Sequence, residues 1–114
     1  MQTIFKSILF LLPVAFTLPA IAQEPLPDGA IQTGSLANQT LIQDTLIGIA
    51  AKTATLGCDA PEQVSPYVTQ LPSGEEGSRV WRELWVVEGC NQEFPINIRF
   101  NEDGPNAADW TIVD

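Results

Sequence analysis

The side chains able to do chemistry are few, and what is missing says most. The chain has no histidine, which removes the commonest general base and the commonest metal ligand. Its two cysteines, Cys58 and Cys90, form no C-x-x-C pair of the kind that lowers a thiol pKa. Outside the first 22 residues Lys52 is the single lysine, and no Ser-x-x-Lys spacing accompanies it, which argues against a Ser–Lys nucleophile. Two carboxylates could form an acid–base pair. Glu83 and Glu88 are the candidates, but five positions on a regular strand put them on opposite faces. Glu102, Asp103 and Asp109 could meet a hard cation. The run NEDGPN, however, lacks the alternating oxygen ligands of a calcium loop. These residues predict no enzyme, no cofactor and no metal.

The first residues read as an export signal. Lys6 precedes an apolar run from Ile8 to Leu18, and the segment ends at Ala20-Ile21-Ala22, with small residues at the two positions a signal peptidase reads. That run is too short for a membrane span of roughly 20 residues. Cleavage after Ala22 would release a periplasmic or secreted chain with no membrane insertion. Loss of Lys6 makes it one unit more negative than the −9 of the full sequence. An acidic surface argues against nucleic acid and anionic membranes, which need a basic footprint. In an oxidising compartment Cys58 and Cys90 are expected to pair. Closing that loop of 32 positions is worth roughly 3.7 kcal/mol in the chain-entropy model.

The remaining residues divide into one arm and one small domain. Residues 23–34 hold two prolines and two glycines without apolar periodicity and read as a flexible arm. Residues 36–56 predict a helix with Ile42, Leu46, Ile49, Ala50 and Thr53 on its apolar stripe. Ser35 is the expected N-cap, and Gly57 suits the left-handed position after the last turn. Gly48 weakens the middle by around 1 kcal/mol relative to Ala unless something packs closely on it. The sequon at Asn38-Gln39-Thr40 falls inside this helix and is a poor glycan acceptor.

Residues 59–66 read as a linker and 67–71 as a short strand. Strands follow at 79–88, 94–101 and 109–113, separated by turn-rich loops. The expectation is an α+β domain over residues 35–114: one N-terminal helix packed on a four-stranded antiparallel β-meander. W-x-x-x-W, then G-C, then F-P-I-N-I-R-F and D-G between Trp81 and Trp110 resemble small secreted bacterial proteins. The resemblance implies export and this helix-plus-meander fold, and it transfers no activity or site residue.

The central question is which way the tryptophans face. Trp81, Glu83, Trp85 and Val87 share one strand face, and Val80, Arg82, Leu84, Val86 and Glu88 share the other. On the next strand Phe94, Ile96, Ile98 and Phe100 point inward, with Asn97 and Arg99 outward. A two-residue turn at Asn91-Gln92 pairs Trp85 with Ile98 and makes both tryptophans core. A three-residue turn pairs Val86 with Ile98 and points Cys90 to the helix side, which the disulfide favours. Trp81, Trp85 and Val87 would then form an open ledge beside Asn97 and Arg99, a binding surface. The function expected from these features is a non-enzymatic binding or inhibitor-type module for a cell-envelope protein. A carrier of a small apolar ligand between helix and sheet is the alternative, and a carboxylate-only hydrolase the third.

Overall fold

A computed structural model describes residues 25–113. The export signal at 1–22 and residues 23–24 of the arm lie outside the described residues. The chain runs β1 (Gln32–Thr33), α1 (Gln39–Thr55), β2 (Pro61–Ser73), β3 (Val80–Gly89), β4 (Gln92–Glu102), β5 (Ala108–Val113). All neighbours are antiparallel, in the order β1-β2-β3-β4-β5. The α+β class is as expected, but the sheet has five strands, not four. The fifth is β1, from the end of the expected arm. Its Gln32 and Thr33 pair with Val68 and Tyr67, and the Ile31 N–H donates to the Val68 carbonyl at 2.7 Å.

β2 also begins earlier than its prolines imply. Pro66 is tolerated because its carbonyl accepts from Gly34 N–H at 2.8 Å, on the β1 side. Its missing N–H therefore also faces that side, where no ladder bond to β3 is lost. Pro95 in β4 lies beyond Asn97, the last residue that β5 pairs, so β4 is an edge there.

Asn38, not Ser35, caps the helix: its Oδ1 accepts from Leu41 N–H at 2.8 Å. Ser35 Oγ instead accepts from Ala37 N–H in the approach to the helix. Gly57 takes the left-handed conformation (φ 98°) after the last turn. The buried stripe is Leu41, Thr45, Ile49 and Thr53, rotated from the expected one, with Leu46 and Ala50 exposed. Thr45 and Thr53 can be buried because their hydroxyls donate to the carbonyls one turn back, Leu41 and Ile49. Gly48 faces Trp110 so closely that an added Cβ would overlap the indole ring. This contact is the reason a glycine is kept in mid-helix.

The helix covers one face of the sheet. Leu41 and Ile49 join Trp81, Trp85, Val87, Phe94, Ile96, Ile98 and Phe100 in one core, and Trp81 stacks on Phe100 at 5.0 Å between ring centroids. The order Phe94, Ile96, Ile98, Phe100 inward is as the alternation requires.

Candidate functional site

The hairpin decides where a site can lie. β3 and β4 are joined by a two-residue turn at Cys90-Asn91, because Gly89 pairs with Gln92. Cys90 and Asn91 both take left-handed φ angles, 54° and 60°, the pair that matches the twist of the flanking strands. Neither expected register is therefore the observed one. Trp85 lies opposite Ile96 and Trp81 opposite Phe100, one step along from the two-residue alternative and with its facing.

Cys58 and Cys90 are bonded, as expected. Their pairing does not require Cys90 to point to the helix side, which corrects the premise that favoured the other register. Cys90 sits in the turn, outside the alternation of the strands, and reaches Cys58 past the end of the sheet. Gly89 makes room for the bond's backbone: an added Cβ would lie 2.8 Å from the Ala60 carbonyl and 3.2 Å from Cys58 Sγ.

The expected tryptophan ledge is thereby corrected. Trp81, Trp85 and Val87 are 6%, 1% and 0% exposed and belong to the core beneath the helix. Asn97 and Arg99, expected beside them, are on the other face, Asn97 exposed and Arg99 half-buried. The five residues do not form one surface.

Between the tryptophans lies Glu83, fully buried. Its Oε2 accepts from Trp81 Nε1–H at 2.8 Å and from Leu36 N–H at 2.9 Å, and its Oε1 accepts from Trp85 Nε1–H at 2.8 Å. Three donors converge on a carboxylate that has no cation in ion-pair reach among the described residues. The buried indole nitrogens thus have the partner they need, and the chain entering the helix is tied to the sheet. Glu83 and Glu88 do point to opposite faces, one buried and one exposed. The arrangement is structural: it holds the core's polar atoms and presents nothing to solvent.

A second carboxylate organises the loops at the far end. Glu102 pairs with Arg79 at 2.7 Å and also accepts from the backbone N–H groups of Gly77 and Arg79. The Arg79 side-chain hydrogen bond is the largest cause, with these backbone donors, of the Glu102 pKa being held down at about 2. No cluster of three potential metal ligands occurs among the described residues.

The surface that remains is the sheet face turned away from the helix. The register places Tyr67, Leu84 and Asn97 in one row across β2, β3 and β4, with Val113 of β5 at its end. Ser65, Val86 and Pro95 form the next row, Gln70, Arg82, Arg99 and Thr111 the row on the other side. Leu84 is 8% exposed because Tyr67 and Asn97 flank it, and Val86 and Tyr67 are half-buried. The sequence places Tyr67 in an expected strand and Val86 on the second face of β3, but with the linker reading of residues 59–66 it does not show that the two meet beside Leu84. The signal available was β3 itself: Val80, Leu84 and Val86 make its second face apolar too, which a strand with one face in water does not need.

Comparison of the chain with protein-family models, with curated proteins and with solved structures finds no match in any of the three.

Proposed function

We propose that this is an exported, non-catalytic binding protein of the inhibitor type, which engages a cell-envelope protein through the open face of its sheet. The observation that carries the reading is the composition of that face. Tyr67, Leu84 and Val86 gather at its centre, with Asn97, Arg82 and Arg99 around them and Val113 at the β5 edge. An antiparallel sheet with one solvated face normally alternates apolar-in and polar-out, and a contiguous apolar centre with a polar rim is the anatomy of a recognition surface. In this reading Asn97 and Arg99 border the binding surface, and the buried tryptophans take no part in it. Export is supported by the Cys58–Cys90 bond, which persists in oxidising compartments; no helix among the described residues is long and apolar enough to cross a membrane.

The carrier alternative has no observation in its favour. The layer between helix and sheet is occupied by Trp81, Trp85, Ile98, Phe100 and Ile49, none more than 6% exposed. The test of the main reading is capture from envelope extract by the disulfide-bonded chain and by its Val86→Asp and Leu46→Asp variants. Val86 is on the open face and Leu46 on the exposed side of the helix. Loss of a specific partner with Val86→Asp alone supports the reading, and equal recovery by all three forms contradicts it.

A further inference from the structure

The open face carries its charges in an unusual order. Arg82 and Arg99 are directly opposite each other on β3 and β4, and so are Glu88 and Glu93. All four belong to the same face of the sheet, since each side chain is an even number of residues from the outward Leu84 or Asn97. Like charges directly opposite on a sheet are destabilising, and here there are two such pairs. They are six residues apart on both strands, arginines toward one end and glutamates toward the other. The acidic end is concave, a depression lined by Glu62, Glu88, Gly89, Asn91, Gln92 and Glu93. Of the chain's five cationic side chains, Lys6 precedes the described residues, Lys52 is on the helix and Arg79 is held by Glu102. Arg82 and Arg99 are left without an ion-pair partner among the described residues. Asp109, on β5 beside Asn101, is the carboxylate placed diagonally to Arg99, and no ion pair joins them.

We infer that the occupant of this face is a second copy of the chain, packed face to face about a two-fold axis. This rests on the reading of the open face as the binding surface. An axis lying between the sheets, across the strands at the level of the Trp85–Ile96 pair, exchanges the two ends. Arg82 then meets Glu88 of the other copy, Arg99 meets Glu93, and the same contacts repeat in reverse. Such reciprocity is what a two-fold interface requires. The centre of the contact falls on Leu84, Val86, Tyr67 and Pro95, the apolar part of the face. Two sheets stack in this way about 10 Å apart with strands crossing at roughly 30°, and the lengths of Arg and Glu bridge the resulting offset. Each unfavourable like-charge pair is relieved by the pair of opposite sign across the interface. The footprint of four strands over this length is roughly 500 Å² per copy, at the low end for specific association. The dimer is accordingly weak and salt-sensitive, and an envelope partner competes with the second copy for the face.

Sedimentation velocity of the disulfide-bonded chain tests the inference, with near-UV circular dichroism of the buried tryptophans as the control for folding. The mass should double as concentration rises through roughly 10–100 µM at low salt and return to the monomer at high salt. R82E/R99E, whose face is wholly acidic there, and E88R/E93R, wholly basic, should each remain monomeric. An equimolar mixture of the two should form a heterodimer. A wild-type chain that stays monomeric throughout, or folded charge variants that self-associate as it does, would overturn the inference. The two readings fail separately: a monomeric wild type whose Val86→Asp form still loses an envelope partner removes self-association alone, whereas a salt-sensitive dimer with no such loss removes the envelope partner alone.

Discussion

Glu83 Oε1 accepts a hydrogen bond from Trp85 Nε1–H at 2.8 Å, two positions along the same face of the same strand. Its other oxygen accepts from Trp81 and from the backbone of Leu36. One acid thus accounts for both indole donors of the hairpin and fastens the segment before the helix. Removing the acceptor leaves buried donors unpaired, which costs more than the net worth of the bonds themselves. Glu83→Gln keeps one acceptor oxygen but turns an amide NH2 toward an indole N–H. It should cost about 1–3 kcal/mol, and Glu83→Ala should cost more, because all three donors then lose their acceptor. Urea unfolding at neutral pH measures both, and values within about 0.5 kcal/mol of wild type would contradict the clamp.

The Gly48–Trp110 contact predicts a substitution that runs against helix propensity. In an exposed helix Gly→Ala gains about 1 kcal/mol. Here the new methyl overlaps the Trp110 ring, and overpacking typically costs 1–3 kcal/mol. Gly48→Ala should lower stability, yet become neutral or stabilising in a Trp110→Leu background. A double-mutant cycle of thermal unfolding reads the coupling, and additive effects would count against the contact.

The hairpin turn and its disulfide can be tested together. Replacing both Cys58 and Cys90 by Ser should lower stability by roughly 3–4 kcal/mol through the loop of 32 positions they close. Asn91 occupies the second left-handed position (φ 60°), where glycine is favoured. Asn91→Gly should therefore stabilise by about 0.5 kcal/mol or less, because glycine's extra freedom in the unfolded chain offsets part of the gain; the denaturant midpoint measures it. A destabilising Asn91→Gly would mean that the Asn side chain has a role beyond its backbone.

Acid should loosen the far end of the sheet first. The Glu102 carboxyl is held at about 2, below the ordinary value near 4.3. A depressed carboxyl contributes stability that is complete above its unfolded value and is lost as pH falls toward the folded one. The melting temperature of the wild type should thus include a component that falls between about pH 4.5 and 2. Glu102→Gln should be less stable at pH 6, and its difference from wild type should shrink over that window. An unchanged difference from pH 6 to pH 2 would show that the Arg79 and Gly77 contacts have no part in it.

Much of the fold is legible in the residues, and the failures share physical causes. The alternation Phe94, Ile96, Ile98, Phe100 sets the inner face of β4 without ambiguity. Gly57 marks the helix end by its backbone freedom, and Cys58 and Cys90 pair as their number and setting require. β1 and the first half of β2 are hidden because Pro61, Pro66 and the two-residue β1 read as linker chemistry. Their pairing depends on which side of the strand each N–H faces, which only the assembled sheet determines. The tryptophan face turned on a shift of one residue in the turn, and the disulfide argued for the wrong parity because a turn residue is not bound by the strand alternation. Glu83 was readable as a charge between two tryptophans, but its burial follows from the three donors that meet it, one of them 47 positions away.

The tryptophan face is sealed beneath the helix, and we propose the opposite face as the binding surface. Hydroxyl-radical footprinting of the native chain, read by mass spectrometry residue by residue, tests it most directly. In dilute solution Tyr67, Pro95 and Val113 should be modified, while Trp81 and Trp85 should react only after unfolding. Addition of excess chain at low salt, or of an envelope partner, should protect the first group and leave the tryptophans unchanged. Modification of Trp81 and Trp85 in the folded dilute chain, with protection of those two on binding, would contradict the account.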